Sequence, residues 1–330
     1  MTANQLLLGF SDKRGHSGFA TNAYRTGVSF TDVANLFELQ ADATPVYTDY
    51  SGELQKIEGR KAIVNADNGD VWNVVSSNYS IHQYSDILLR SAQNLLDVNP
   101  GELQISAAGL ADNGGVGFIQ LQLPTSSVLE DDTIRPTLTI ATSHTGRFAT
   151  QFKLGLDRLF CLNQLGLVSS TRTGKARIAF RHTTNSHLNM EQARYTLQTM
   201  VQEGADYAET VKRLMDTPFS STQMGTLVNQ MFPMPKARDD RDEPHAAAMT
   251  RWENKVNTLW SIYRHDYRVM GWDDTAWGAY QAFSTYRLWQ ASVREYESNL
   301  DRFNRNMLSY IGGTTDDYDR RVLTAISELL

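Results

Sequence analysis

Seven cationic side chains stand close together in residues 143–185 of this chain. The same stretch holds a single acid, Asp157, although the whole chain has 37 Asp and Glu against 31 Lys and Arg and a formal net charge of -6. Phosphate backbones are the polyanions that bind several cations in succession. The stretch therefore predicts a nucleic-acid contact, and its candidate residues are Arg147, Lys153, Arg158, Arg172, Lys175, Arg177 and Arg181.

Aromatic residues are interleaved with these cations, among them Phe148, Phe152 and Phe180. Single-stranded nucleic acid is bound by cations along its backbone and by aromatic faces against its bases. Arg177 and Arg181 have an even spacing, which places them on one face of a strand. Residues 171–175 have the composition of a basic loop, so we expect Arg172, Lys175, Arg177 and Arg181 to share one exposed face. The alternative is an ordinary solvated strand and loop whose phenylalanines belong to the core.

Catalytic and metal-binding motifs are weak in this chain. None of the seven histidines has the HExxH or HxH spacing that places two imidazoles on one metal ion. A site assembled from His144, His182 and Asp157 is the remaining metal hypothesis, and structural hydrogen bonding of the rings is the interpretation we favour. We therefore predict no bound metal and no cofactor.

Nucleophile and nucleotide motifs are equally weak. Cys161 lies in the apolar sequence LFCL, so we predict that it is buried and dispensable. The sequence STRTGK at 170–175 is followed by Ala176, where a P-loop needs a hydroxyl. The acids at 130–132 have the context of a loop. These patterns give no catalytic residue and favour a binding protein over an enzyme.

Periodicity predicts an α+β fold, with hairpins and one helix forming an antiparallel sheet in the N-terminal two thirds. Strands at 61–66 and 71–76 flank the turn Asp67–Asp70, and a second pair of strands flanks Asp112–Gly115. A helix is predicted over 84–96 and a further strand over 136–144. Residues 1–50 are expected to form an arm and residues 51–190 the α+β domain.

Residues 191–330 are predicted to be helical, with a charged linker near 233–244. One long helix is expected near the C-terminus because apolar residues recur at steps of four and three. Such a seam requires a partner helix, either the preceding helix of the chain or a second subunit. The seam residues are Ala282, Tyr286, Trp289, Val293, Tyr296, Leu300, Phe303, Met307 and Tyr310, and we expect Trp289, Tyr296, Phe303 and Met307 to be buried.

Several short motifs resemble the phage- and plasmid-like proteins grouped as domain of unknown function 932. They are SHTG at 143–146, the Cys161 and Asn163 pair, and the His182 and Thr183 pair. The resemblance extends through 74–92 and 275–289. It implies a phage or mobile-element origin, an intracellular role and a distant similarity to single-strand annealing proteins.

The composition bounds the remaining expectations. One cysteine excludes a disulfide framework, and no apolar run approaches the roughly 18 residues of a membrane span. We expect a cytoplasmic homo-oligomer, in the host cytoplasm if phage-encoded, with no membrane contact. The predicted function is single-stranded DNA binding, with strand annealing in phage or plasmid recombination as its finer form. The alternative is an assembly protein that uses its C-terminal helices to bind a phage or host protein.

Overall fold

The chain is described here by a computed structural model, which covers residues 7–8, 28–99, 101, 103–123, 134–158, 161–166, 177–183, 209–236, 246–266, 268–293, 299–313 and 315–330. It divides into two compact units. The sheet unit comprises Met1–Ser126, Asp132–Leu162 and Thr173–Ala205. The helical unit comprises Ser127–Asp131, Asn163–Arg172 and Asp206–Leu330. The predicted domain boundary near 190 and most of the predicted linker lie outside the described residues.

An antiparallel sheet dominates the sheet unit. Among the described residues it has seven strands, in the order β1-β5-β6-β7-β8-β10 with β9 beside β8. Their register pairs residues across long hairpins, as in Ala111 with Val116 and Ile140 with Phe152. The strands are β1 (Leu7–Leu8), β5 (Gln104–Ala111), β6 (Val116–Gln122), β7 (Ile134–Ser143), β8 (Thr150–Arg158), β9 (Cys161–Gly166) and β10 (Arg177–Phe180).

A second, three-stranded antiparallel sheet contains β2 (Ala41–Tyr50), β3 (Glu53–Asn65) and β4 (Val71–Ser76). Together the two sheets confirm the predicted α+β class. Both predicted hairpin turns are confirmed as well, since Asp67–Asp70 joins β3 to β4 and Asp112–Gly115 joins β5 to β6. Asp112 and Asn113 have φ values of 55° and 54°, the left-handed conformation that Asp and Asn tolerate better than most residues.

The core of the sheet unit lies on one face of the larger sheet. Helix α1 (Phe30–Leu36), a π-helical turn (Ser85–Leu89) and helix α2 (Arg90–Val98) supply its other side. The turn and α2 confirm the predicted helix over 84–96. Fully buried side chains of this core include Val33, Phe37, Tyr84, Leu88, Ile119, Leu121, Leu138 and Ile140.

Helices form the second unit, as predicted. They are α3 (Ser221–Met231), α4 (Ala246–His265), α5 (Ala276–Thr285) with a π-helical turn (Tyr286–Gln290), α6 (Asn299–Ile311) and α7 (Asp316–Leu329), and residues 209–216 are helical too. Ser220 begins α3 with a capping box and Thr275 caps α5 through its hydroxyl. Within the described ranges, no helix has the length and apolarity that crossing a bilayer requires.

The heptad segment is not one continuous helix. The backbone leaves helical geometry at Ala291 (φ -59°, ψ 133°), and α6 begins only at Asn299. The Nδ2 of Asn306 donates to the carbonyls of Leu288 and Ala291, both at 3.1 Å, and thereby satisfies carbonyl groups near the break. The expectation of a single helix is therefore wrong. Two successive helices that each bury an apolar face can together show the same recurrence of apolar residues at steps of four and three as one long helix.

The described seam residues are packed within the chain. Ala282 and Tyr310 are buried, and Trp289 is half-buried with the Arg268 guanidinium 4.5 Å from its ring centroid. Tyr296 lies outside the described residues, and so do the side chains of Phe303 and Met307. Burial without any partner chain indicates that this seam is largely an intramolecular contact.

Asn306→Ala tests the side chain that joins α6 to the preceding turn. The substitution leaves two carbonyls without their donor, and we expect the free energy of unfolding to fall by about 1–3 kcal/mol in a urea titration. Asn306→Asp should lose as much, because it keeps the shape and lacks the NH₂ group. Ser309→Ala is the control on the same helix. A loss below about 0.5 kcal/mol for Asn306→Ala would contradict this role.

Candidate nucleic-acid interface

The described residues cover the seven predicted cations to different extents. Arg172 and Lys175 lie outside the described residues. Arg158 and Arg177 belong to β8 and β10, and the description covers only their backbone. Side chains are described for Arg147, Lys153 and Arg181, and each of the three has a different environment.

Lys153 lies in a buried polar layer on the sheet face opposite the core. The register joins Gln120 to Thr139, Thr139 to Lys153, and Lys153 to Arg177, so these four positions form one row across four strands. Lys153 is only 3% exposed. Its neighbours on this face are buried polar residues as well, namely Gln120, Gln122, Thr137, Thr139 and Gln151. The ammonium of Lys153 is therefore not part of the exposed surface.

Arg181 is exposed at the end of β10. Ala179 is exposed too, whereas Phe180 is buried and packs edge-on against Phe152 with ring centroids 5.9 Å apart. The strand thus alternates between core and solvent. The side chain of Arg177 lies outside the description, so the predicted common exposed face is tested only at Arg181.

Arg147 is exposed on the loop after β7 and is bound to an acid. Its Nε lies 2.6 Å from Oδ2 of Asp112 in the β5–β6 turn. The two residues line an open cleft of about 570 Å³ together with Asp70, Trp72, Asn113 and Thr145. The lining of the cleft contains the carboxylates of Asp70 and Asp112 and the guanidinium of Arg147, so the cleft has no excess of positive charge. Arg147 is consequently available to an anion only in competition with Asp112.

His144, from the SHTG motif, is buried beneath that cleft. Its ring stacks on Trp72 with centroids 5.3 Å apart and lies 4.6 Å from the ring of Tyr84. Neither ring nitrogen has a hydrogen-bond partner among the described residues. Gly146 of the same motif has φ +75°, and a Cβ there would lie 2.5 Å from Nδ2 of Asn73. The motif therefore specifies a tight loop over a buried aromatic stack.

A second buried group connects His182 to the 74–92 segment through Ser80 and His82. His82 Nδ1 lies 2.6 Å from Thr150 Oγ1, which lies 2.7 Å from Thr142 Oγ1. His182 Nε2 is 3.4 Å from both threonine hydroxyls, and its Nδ1 donates to the Ser80 carbonyl at 3.2 Å. The rings of His82 and His182 stack 4.0 Å apart. This network joins β7 and β8 to the segment that precedes the π-helical turn and to the segment that follows β10.

Burial keeps the imidazoles of His144 and His182 neutral. Loss of water around the ring, reinforced by the charge of His182, lowers the pKa of His144 to about 3. Burial also lowers the pKa of His182 to about 4, partly offset by the bond to the Ser80 carbonyl. No group of three His, Cys, Asp or Glu side chains within the described ranges has a metal-binding arrangement. The hydrogen bonds of His182 agree with the structural role that the sequence favoured, whereas His144 is held by ring stacking and its nitrogens have no partner among the described residues.

An exposed ribbon is the feature that the sequence analysis missed. Every residue from 47 to 60 is exposed, on a two-stranded hairpin made by the distal parts of β2 and β3. Tyr47 is 54% exposed, Tyr50 71% and Leu54 75%. The signal was present, since Ser51-Gly52 between β-forming residues is a turn motif, and both residues have positive φ. Cys161, predicted to be buried, lies in β9 with its side chain outside the description.

The comparisons with known proteins place this chain in a family. The family model for the domain of unknown function DUF932 matches residues 71–307, which is most of the chain. The chain belongs to this family. Neither the curated proteins nor the solved structures contain a match.

The depressed histidine pKa values predict acid sensitivity. In the unfolded chain these rings take up protons below about pH 6.5, whereas in the folded chain they stay neutral to pH 3–4. Stability should therefore be greatest above pH 6.5 and fall as the pH drops towards 4, by about 1.4 kcal/mol per pH unit for each such histidine. His144→Phe keeps an aromatic ring in the stack but cannot bind a proton. It should therefore reduce the slope of stability against pH by the contribution of one histidine, about 1.4 kcal/mol per pH unit.

Urea titrations between pH 4 and pH 7 measure this slope. Trp72→Phe serves as the control, because it perturbs the stack while leaving His144 in place, and it should lower stability without changing the slope. An unchanged slope for a folded His144→Phe protein would show that His144 is not the linked group.

Proposed function

We propose that this member of the DUF932 family binds single-stranded DNA without a bound cofactor and presents the strand for annealing. The observation that carries the proposal is the ribbon of residues 47–60, which exposes two tyrosines to solvent. Single strands are held by aromatic faces and cations together. An annealing protein needs no catalytic group, because base pairing itself supplies the free energy of the reaction.

The ribbon has the features of a stacking platform. The register pairs Tyr47 with Lys56 and Asp49 with Leu54, so Tyr47, Leu54 and Lys56 share one face. Tyr50 lies on the other face, opposite Glu53. A two-stranded ribbon is marginally stable alone, and large exposed apolar side chains are disfavoured in water. Bases packed against both faces would remove this apolar surface from water.

Stacking favours single strands over a duplex. The bases of a duplex already stack on each other, so their faces are not available to a tyrosine ring, whereas those of a single strand are available. The ribbon is not itself basic, because Lys56 pairs with Glu58 at 3.2 Å and Asp49 and Glu53 lie near its tip. Its contribution to binding is therefore mainly aromatic.

Phosphate contacts are assigned to the exposed cations of the predicted stretch. Arg181 is exposed, and Arg147 is exposed beside Asp112. Arg158, Arg172, Lys175 and Arg177 remain predicted contacts of the same stretch. Lys153 would contribute only if the buried polar layer of the sheet opened. Because the chain has a net charge of -6, binding depends on this local patch and should weaken steeply with salt.

The alternative function, assembly through the C-terminal helices, has less support. It relied on an unpartnered apolar seam, and the described seam residues are packed against their own chain. Homo-oligomerisation remains part of the proposal for strand annealing, through a surface that the seam does not identify.

Alanine at Tyr47 or Tyr50 should weaken binding to a single-stranded oligonucleotide by about 1–3 kcal/mol each, since each removes one stacking face. Phenylalanine at either position keeps the face and should leave binding nearly unchanged. Fluorescence anisotropy measures both, and Val98→Ala, which truncates an exposed apolar residue elsewhere in the sheet unit, is the control. Wild-type affinity in a folded Tyr47→Ala/Tyr50→Ala protein would rule out the ribbon as the binding surface.

Arg181→Ala should weaken binding to all sequences and make the slope of log K against log salt less negative by about 0.7, the value for one phosphate contact on a single strand. Asp112→Asn should act in the opposite direction and strengthen binding, because it removes the anion that competes for Arg147. Lys212→Ala, an exposed cation of the helical unit, is the control. A slope unaffected by Arg181→Ala would remove Arg181 from the interface.

A further inference from the structure

Four cations line a cleft of about 600 Å³ that lies within the helical unit. Arg251 and Lys255 come from α4, Arg287 from the π-helical turn and Arg302 from α6. None of the described side chains that line this cleft is a carboxylate. Like charges at positions i and i+4 of a helix repel one another, so Arg251 and Lys255 gain nothing from each other in the free protein. The arrangement is the kind that a bound anion stabilises.

Local contacts show that one of these cations, Arg287, is not fully hydrogen-bonded within the described part of the chain. The Nε of Arg287 is buried and has no hydrogen-bond partner among the described residues. The ammonium of Lys255 lies 3.8 Å from the ring centroid of Phe232, and burial together with the charge of Arg287 lowers its pKa. The hydroxyl of Tyr318, which also lines the cleft, is a second buried group without a hydrogen-bond partner in the described structure. An anion with several oxygens would accept from such donors.

A neutral groove continues from the cationic cleft. It measures about 550 Å³ and shares Asn254, Thr258 and Gln290 with the cleft. Asn257 and Ser261 follow on the same helix, so amide and hydroxyl groups line the groove. Its carboxylate, Asp266, is bound by the Arg268 guanidinium at 2.5 Å. Such side chains form hydrogen bonds to neutral polar ligands, such as the hydroxyls of a sugar and the edges of a base.

We propose that this paired cavity binds a nucleotide, with its phosphate among Arg251, Lys255, Arg287 and Arg302 and its nucleoside in the adjoining groove. Planar guanidinium groups recognise phosphate oxygens through two parallel hydrogen bonds, and lysine adds a point charge. The two compartments thus match the two halves of one ligand. A free nucleotide and the end of a strand present the same phosphate ester and nucleoside, and the titrations described below distinguish these two sources.

This inference does not depend on the proposed binding of single strands by the ribbon. Every residue that it uses belongs to the helical unit, whereas Tyr47, Tyr50 and Arg181 belong to the sheet unit. A protein with Tyr47→Ala and Tyr50→Ala should therefore bind nucleotides with unchanged affinity. Failure of one proposal would leave the other standing.

Isothermal titration calorimetry of the full chain tests the site with adenosine and cytidine 5′-monophosphates, inorganic phosphate and adenosine. We expect saturable binding of at least one monophosphate, and at least tenfold weaker binding of both adenosine and inorganic phosphate, because each supplies only half of the ligand. A short oligonucleotide with a 5′-phosphate, compared with the same oligonucleotide without it, distinguishes a strand end from a free nucleotide.

Arg251→Ala/Lys255→Ala should reduce the affinity for the monophosphate at least tenfold. Arg264→Ala removes a cation from the same helix outside the cleft, where it stacks on Trp260, and should leave the affinity unchanged. The single variant Arg251→Ala, at an exposed position, replaces the double variant if that protein does not fold. Absence of saturable binding, equal affinity for adenosine and its monophosphate, or wild-type affinity in the cleft variants would each overturn the proposal.

Discussion

The ring of Tyr84 holds together the parts of the sheet unit on which the rest depends. It is fully buried against the backbone of β6, where a Cβ on Gly117 would lie only 2.9 Å from the ring. Its hydroxyl donates to the Gly114 carbonyl at 2.6 Å, and the ring contacts both Phe37 and His144. Because a buried hydroxyl needs its acceptor, this bond fixes the β5–β6 turn relative to the π-helical turn. The β5–β6 turn also carries Asp112, which is the ion-pair partner of Arg147.

His144 of the SHTG motif and His182 belong to the buried interior of the sheet unit and not to an exposed site. His82, His144 and His182 come from three distant segments, and tertiary structure brings them into two buried groups around threonines and aromatic rings. Spacing along the chain could not predict that these three histidines lie in buried groups. It did show that no pair has the HExxH or HxH spacing of a metal-binding motif. The proposed His144, His182 and Asp157 site would require an open coordination position beside a carboxylate, whereas both rings are buried among neutral partners.

The sequence predicted the features of the fold that depend on residues close together in the chain, such as the two hairpin turns. The turns at Asp67–Asp70 and Asp112–Gly115 follow from residues that tolerate positive φ, and the strand ends that flank the first turn were predicted to within one residue. The start of β3 was not predicted, because β3 begins at Glu53 and the predicted strand at 61. The break at Ala291 could not be predicted in this way, because the side chain that satisfies its carbonyls, Asn306, lies 15 residues further along the chain. The cationic cleft was hidden for the same reason, since its four cations are spread over residues 251–302.

Charge explains why an acidic chain would use two different means of binding. Residues 201–330 hold 15 Lys and Arg against 19 Asp and Glu, yet the fold gathers four of those cations around one cavity, whose described lining holds no carboxylate. A small anion in the cationic cleft interacts mainly with the nearby cations, because salt screens its interaction with more distant charges. A long polyanion also passes near the acidic surface, where each phosphate outside the patch is repelled. An extended strand therefore needs an attraction that does not depend on charge, and base stacking on the exposed tyrosines of the ribbon is such an attraction.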